Sequence, residues 1–81
     1  MPDYAPVPEE IRECLELIVA SGEGAFLPNF YGSTLDGSDV AEYLTELGYE
    51  VLSYEDKWRY GLVKLANGVD VSTSGYARLR R

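Results

Sequence analysis

The chain has 81 residues, of which 46% are apolar and 12% aromatic, and its net charge is -7 at pH 7. This length suits one small domain and leaves no room for two separate cores, and the apolar content is too high for a disordered chain. Histidine is absent and cysteine occurs once, which removes the usual general base and the common zinc ligand sets. We therefore expect one domain, residues 1 to 81, that binds a protein without catalysis, metal or cofactor.

The start of the chain, MPDYAPVPEE, lacks the basic and apolar regions of a secretory signal. No run of about 20 apolar residues follows that could span a bilayer. We expect a soluble protein of the cytoplasm that does not contact membranes. Residues 1 to 7 are predicted to form an extended arm that leads to Pro8, a residue favoured at the first position of a helix.

A first helix is predicted from about Pro8 to Ser21. Its apolar side is defined by the helical spacing of four residues, Ile11, Cys14, Leu15 and Ile18. Gly22 and Gly24 end the helix, because glycine adopts the left-handed conformation used at C-termini. A different side of the same helix carries a stripe of three carboxylates, Glu9, Glu13 and Glu16.

The segment 25 to 37, AFLPNFYGSTLDG, has no clean period. We expect a packed loop or a short helical turn, in which four residues help to fill the core: Phe26, Leu27, Phe30 and Tyr31. As an alternative, aromatic residues in a loop can form a recognition patch.

A second helix is predicted from an N-cap at Ser38 to about Leu47, with Gly48 as the stop. Its buried side is expected to contain Val40, Tyr43, Leu44 and Leu47. The exposed side carries a second stripe of carboxylates, Asp39, Glu42 and Glu46.

From residue 49 onward the pattern alternates with a period of two, as in strands. We predict strands over 49 to 54, 57 to 66 and 69 to 73, and leave open a fourth strand over 76 to 81. Glu55 and Asp56 are assigned to the first turn, and Asn67 and Gly68 to a type I′ hairpin turn. Within the second strand, core packing is expected for three residues on one side, Trp58, Tyr60 and Leu62. The predicted architecture is α+β: two helices followed by a three- or four-stranded antiparallel sheet.

Charge is strongly polarised along the chain. Residues 1 to 56 hold thirteen acids and one base, a net charge of -12, whereas residues 57 to 81 hold six bases and one acid, a net charge of +5. If the two helices pack side by side, their carboxylate stripes form one negative face, which three further acids can extend: Glu50, Glu55 and Asp56. Carboxylates repeated at each helical turn, about 5.4 Å apart, crudely match the spacing of phosphates. This indicates a nucleic-acid mimic that occupies a basic channel of its partner.

A second interpretation uses the basic end of the chain to bind nucleic acid. Its candidate residues are Lys57, Arg59, Lys64, Arg78, Arg80 and Arg81, interleaved with aromatics that can stack on bases. Residues 8 to 66 also resemble a winged helix in the order of their elements, with a wing near residues 55 to 57. The helix that would enter the major groove carries acids, however, and these repel phosphates. We expect the terminal arginines either to pair with acids on the helices or to leave one pole free for an acidic partner surface.

In its size, acidity, lack of catalytic residues and compact α+β pattern, the chain resembles the small acidic proteins that phages and mobile elements use against host nucleic-acid machinery. Anti-CRISPR proteins are among them. The resemblance rests on overall character and transfers no single residue. It implies a partner such as the DNA-binding channel of a CRISPR surveillance complex. A third class stays open: an adaptor or antitoxin-like protein, or a homodimer whose acidic and basic ends bind each other.

Overall fold

Two helices pack on one face of an antiparallel sheet in this computed structural model, which describes residues 7–30, 36–57 and 60–80. Within those ranges the elements are α1 (Pro8–Ser21), β1 (Ala25–Phe26), α2 (Gly37–Glu46), β2 (Val51–Asp56), β3 (Gly61–Leu65), β4 (Val69–Ser72) and β5 (Tyr76–Leu79). Their order across the sheet is β1-β5-β4-β3-β2. The predicted α+β class is confirmed, with five strands in the described part of the chain instead of three or four. Most of the predicted N-terminal arm, residues 1 to 6, lies outside it.

α1 has the bounds that the sequence predicts. Ile11, Leu15 and Ile18 are buried, while Cys14 is only partly covered. The helix ends at Gly22, whose φ of 75° is left-handed and whose amide donates to the Ile18 carbonyl at 2.8 Å. The 3.6-residue apolar period and the glycine stop are therefore enough to define this element.

α2 begins two residues earlier than predicted, and its N-cap is Asp36 in place of Ser38. The Asp36 carboxylate accepts from the Asp39 amide at 3.0 Å, and the Asp39 carboxylate accepts from the Asp36 amide at 3.3 Å. Such a reciprocal capping box satisfies two backbone donors that a helix leaves unpaired. Gly48, with a φ of 97°, follows the helix as predicted.

The segment after α1 contains a short strand that the sequence does not predict. Ala25 lies opposite Ala77 of β5, and Phe26 lies opposite Tyr76. Successive strand residues point to opposite faces, so Phe26 lies on the face away from the helices and is 70% exposed. The prediction that Phe26 is a core residue is therefore wrong, whereas Leu27 and Phe30 are buried as expected. Tyr31 lies outside the described residues.

The predicted turn at Glu55 and Asp56 is also wrong, because both residues belong to β2. They lie opposite Leu62 and Gly61 of β3. The chain turns after them, and the Lys57 amide donates to the Tyr60 carbonyl at 2.7 Å.

The inward side of β3 is the opposite of the predicted one. Val63 and Leu65 are fully buried, whereas Leu62 is partly exposed and Tyr60 is 46% exposed. Val63 lies opposite Val71 of β4, so burial follows the face that these strands share with the helices. Trp58, the third residue of the predicted core side, lies outside the described residues.

The hairpin between β3 and β4 is real, but it is not a type I′ turn. Only Gly68 has a positive φ, 96°, among the residues of this turn. The Gly68 amide donates to the Leu65 carbonyl at 3.2 Å, and the Asn67 side-chain oxygen accepts from the Val69 amide at 3.0 Å. A longer loop with one left-handed glycine is the other common solution for an antiparallel hairpin.

One core lies between the sheet and the helices. α1 contacts β4 and β5, while α2 contacts β2 and β3. One cluster joins the buried apolar residues of β3, β4 and β5 with those of both helices and of the segment after β1: Ile11, Leu15, Ile18, Leu27, Phe30, Val40, Ala41, Leu44, Val63, Leu65, Val69, Val71 and Ala77. The other face of the sheet has no helix over it within the described residues.

The start of α2 lies directly against β3. A methyl group added at Gly61 would lie 2.8 Å from the Gly37 nitrogen and 2.9 Å from its Cα. The Gly37 amide, in turn, donates to the Asp56 carboxylate at 2.6 Å. The absence of a side chain at Gly61 therefore lets the helix end reach the β2–β3 hairpin.

We predict that Gly61→Ala destabilises the protein by about 1–3 kcal/mol, because overpacking forces backbone to move. Urea unfolding followed by circular dichroism measures this difference. Lys64→Ala, an exposed position on the same strand, serves as the control and should change stability by less than about 0.5 kcal/mol. Equal stabilities of the two variants would contradict the close approach.

A second prediction concerns pH. Hydrogen bonds from the Ser38 hydroxyl and the Asp39 amide hold the pKa of the Asp36 carboxyl below its usual 3.8. A carboxyl whose pKa is lower in the folded state stabilises the fold above its unfolded pKa, and this contribution is lost as pH falls through the folded pKa.

The stability difference between wild type and Asp36→Asn should thus be constant near neutral pH and shrink below about pH 4. Asn is itself a good N-cap, so the substitution removes charge and retains capping. Urea titrations over a pH series measure the difference. Glu23→Gln, at an exposed position, is the control, and a gap between wild type and Asp36→Asn that is independent of pH would refute the assignment.

Candidate functional site

The outer surface of the helices carries both predicted carboxylate stripes. Every member is exposed: Glu9, Glu13 and Glu16 on α1, and Asp39, Glu42 and Glu46 on α2. Each stripe lies on the side of its helix opposite the buried residues, as the 3.6-residue repeat requires. Since both helices pack on the same face of the sheet, both stripes face solvent on the same side of the molecule. We call this surface the acidic helix face.

The two helices meet near the end of α2. Arg12, the one base of the acidic half of the chain, donates from its guanidinium to the Leu47 carbonyl at 2.7 Å. Cations suit the C-terminal end of a helix, where the carbonyls are unpaired. Burial raises the pKa of Tyr49, while the positive charge of Arg12 lowers this pKa and the negative charge of Glu16 raises it. Glu16 of the α1 stripe therefore lies close to the end of α2.

Not all the candidate acids are equally available to a partner. Asp39 belongs to the capping box, and Asp56 accepts from the first amide of α2. Glu55 lies 3.8 Å from the Lys57 ammonium in an exposed ion pair. Glu42 and Glu46, by contrast, accept no hydrogen bond from the residues that the structure describes, which leaves both carboxylates open.

Glu50 lies beside the acidic helix face, between α2 and β2. Its side chain is exposed, and its backbone carbonyl accepts from the Ala66 amide at 2.9 Å. Its position is thus fixed by a contact with the β3–β4 loop, while its carboxylate faces solvent.

The uncovered face of the sheet carries a different set of side chains. Lys64, Asp70 and Arg78 are directly opposite one another on three neighbouring strands. Opposite charges in such cross-strand positions attract one another. Asp70 thus lies between two bases, and the sheet face is basic at this point.

Arg80 is committed to a structural role. Its guanidinium lies 2.6 Å from the Asp70 carboxylate and donates to the Leu65 carbonyl at 2.8 Å. The expected pairing of the terminal arginines with acids on the helices is wrong for Arg80, because its partner belongs to β4. Lys64 and Arg78 remain exposed. Of the three other candidate bases, Lys57 pairs with Glu55, and Arg59 and Arg81 lie outside the described residues.

Aromatic residues flank these bases. The rings of Phe26 and Tyr76 meet edge to face, with centroids 5.0 Å apart, and the two side chains are 70% and 38% exposed. Phe26 belongs to the loop for which the sequence offers an aromatic recognition patch as an alternative to core packing, whereas no sequence signal marks Tyr76 as a site. The one available signal was the alternation of Phe26 with the buried Leu27. We call Phe26, Tyr76, Lys64 and Arg78 the basic sheet face.

No group of three or more Asp, Glu or Cys residues within the described ranges is positioned to hold a metal ion. In the same part of the chain, neither helix has the length and apolar character needed to cross a membrane. Comparisons of the chain with protein-family models, with curated proteins and with solved structures gave no match.

Proposed function

We propose that this protein is a non-enzymatic inhibitor whose acidic helix face binds a basic surface of a nucleic-acid-handling partner. It would act as a nucleic-acid mimic in a manner similar to anti-CRISPR proteins and block a host defence complex. The observation that supports this most directly is the exposure of all six stripe carboxylates on one side of the fold.

Electrostatics gives this surface its expected behaviour. Duplex DNA carries about one charge per 3.4 Å of each strand, and a helix repeats a surface position about every 5.4 Å. A row of carboxylates along each helix is therefore comparable in charge density with a nucleic-acid strand. Complementary charge accelerates encounter and makes affinity fall with salt.

Glu42 and Glu46 are the best residues for a test, because neither carboxylate is used within the described part of the chain. We predict that Glu42→Lys combined with Glu46→Lys weakens partner binding by at least about tenfold, or about 1.4 kcal/mol. The fold should be retained, since a lysine near the end of α2 suits the helix dipole.

The measurement is affinity capture from a host lysate at low salt with quantitative mass spectrometry, followed by titration of the captured partner. The matched control for the single variant Glu42→Lys is Glu23→Lys, which reverses one charge at a position outside both stripes. Unchanged affinity of the double variant, or equal losses for the two single variants, would count against the acidic helix face.

A second candidate function, binding of single-stranded nucleic acid, is favoured by one observation on the opposite side. The exposed Phe26 and Tyr76 rings lie beside Arg78, and Lys64 is two strands away. Aromatic rings can stack on bases while cations hold phosphates.

If this candidate is correct, a labelled oligothymidine should bind in fluorescence polarisation, and Tyr76→Ala should weaken binding by about 1–3 kcal/mol. Tyr54→Ala removes a comparably exposed tyrosine near the opposite edge of the sheet and should have little effect. Binding should also weaken as salt increases. No binding at low salt would eliminate this candidate and leave the acidic helix face as the functional surface.

A further inference from the structure

Among the described residues, no strand pairs with the outer edge of β2. This strand is last in the sheet order, and five of its six residues are exposed. Leu52 is 56% exposed and Tyr54 is 51% exposed. An open edge presents unpaired amides and carbonyls that can template another strand.

The pairing of β2 with β3 indicates which backbone groups are free. The Lys57 amide bonds to the Tyr60 carbonyl, and hydrogen-bonded and non-hydrogen-bonded pairs alternate along an antiparallel ladder. Counting from the hydrogen-bonded pair Lys57–Tyr60, the pair Asp56–Gly61 is not hydrogen-bonded and the pair Glu55–Leu62 is. The next pair, Tyr54–Val63, is again not hydrogen-bonded. The backbone groups of Tyr54 and Asp56 consequently point away from the sheet.

A groove of about 650 Å³ lies beside this edge, between α2 and β2. Ala41, Thr45 and Val51 supply methyl groups to its walls, and Leu52 and Tyr54 add larger apolar surface. Among the described residues that line it, Glu42 alone is charged. An exposed strand edge with an adjacent groove is suited to β-strand addition, in which main-chain bonds give affinity and the groove selects side chains.

The charge around the groove defines its occupant. Residues 36 to 56, which form α2, β2 and their connection, contain seven acids and no Lys or Arg: Asp36, Asp39, Glu42, Glu46, Glu50, Glu55 and Asp56. Two bases lie against this region, Lys57 beside Glu55 and Arg12 at the end of α2, so acids remain in clear excess. The resulting field attracts basic segments and repels acidic ones.

A second copy of this chain is disfavoured at the same site. Pairing two β2 edges would bring two sets of seven acids together.

We propose that the groove between α2 and β2 takes an extended, lysine- or arginine-rich segment of a protein partner, which adds to the sheet as a strand beside β2. This inference rests on the proposed function for the basic character of the partner. It adds the mode of contact: main-chain hydrogen bonds to the edge of β2, with apolar side chains in the groove and basic side chains toward the surrounding acids.

The test uses a fluorescent peptide of four Lys-Val repeats, long enough to cover β2 at about 3.3 Å per residue. Two further peptides carry N-methyl groups on all the Val amides or on all the Lys amides. Alternate amides of a strand point to opposite edges, so one methylated peptide should lose affinity at least tenfold while the other binds like the parent. Net charge is the same in all three peptides.

A protein variant provides an independent measurement. Thr45→Trp fills the groove without a change of charge and should weaken binding of the parent peptide at least tenfold. Ala20→Trp, at an exposed position of α1, is the matched control and should bind the peptide like wild type. Circular dichroism establishes that both variants fold.

Equal binding of all three peptides would mean contact through charge alone and would overturn strand addition, while the acidic helix face would stand. No binding of the parent peptide up to about 1 mM at low salt, a free energy weaker than about -4 kcal/mol, would overturn it as well. Strand addition by a partner would also be overturned by a doubled mass in light scattering that Thr45→Trp abolishes, because a second copy of the chain would then occupy the edge. Failure of the proposed function is separate: it appears as partner capture that is insensitive to Glu42→Lys with Glu46→Lys.

Discussion

The contact between the start of α2 and the β2–β3 hairpin is the constraint on which both candidate surfaces depend. Gly37 and Gly61 allow backbone to meet backbone, and Asp36 and Asp56 supply carboxylates to amides at the helix start. These bonds fix one end of α2 over β2 and β3. The direction of the carboxylate stripe on α2, and the width of the groove beside β2, both follow from this attachment. Asp36 and Asp56 therefore hold α2 in the position that exposes the other carboxylates of that helix to solvent.

The fold separates charge between its two sides. The helices carry carboxylates away from the sheet, whereas the uncovered side of the sheet carries Lys64 and Arg78 with two aromatic rings. Arg80 and Asp70 are paired with each other. Of the two ion pairs among the described residues, this more buried one holds β4 to the residue after β5 and does not connect the two sides. The sheet and the apolar core lie between the carboxylates of the helices and the bases of the sheet. The interaction between these opposite charges is weak because of the distance that separates them. Each side can consequently attract a different class of partner.

The sequence predicts the elements whose signals are local. The bounds of α1 follow from Pro8, an apolar 3.6-residue period and Gly22, and the exposure of the carboxylate stripes follows from the same period. The orientation of β3 is not predictable in this way, because alternation defines two sides without saying which one the helices cover. Likewise, the edge-to-face pair of Phe26 and Tyr76 depends on β1 lying beside β5, a pairing between residues far apart in sequence. The open edge of β2 also becomes apparent only once the strand order is known.

The β1–β5 pairing has a further consequence for how the protein acquires its structure. β2, β3, β4 and β5 pair with strands that are their neighbours in the chain, whereas β1 can pair only after β5 is present, because Ala25 lies opposite Ala77. Closing so long a loop costs conformational entropy that local hairpins do not require. During synthesis, α1 leaves the ribosome well before the strands against which it packs. Until those strands are synthesised, the apolar side of α1 has no sheet to pack against. The carboxylates on its other side favour solvation of the helix during this time.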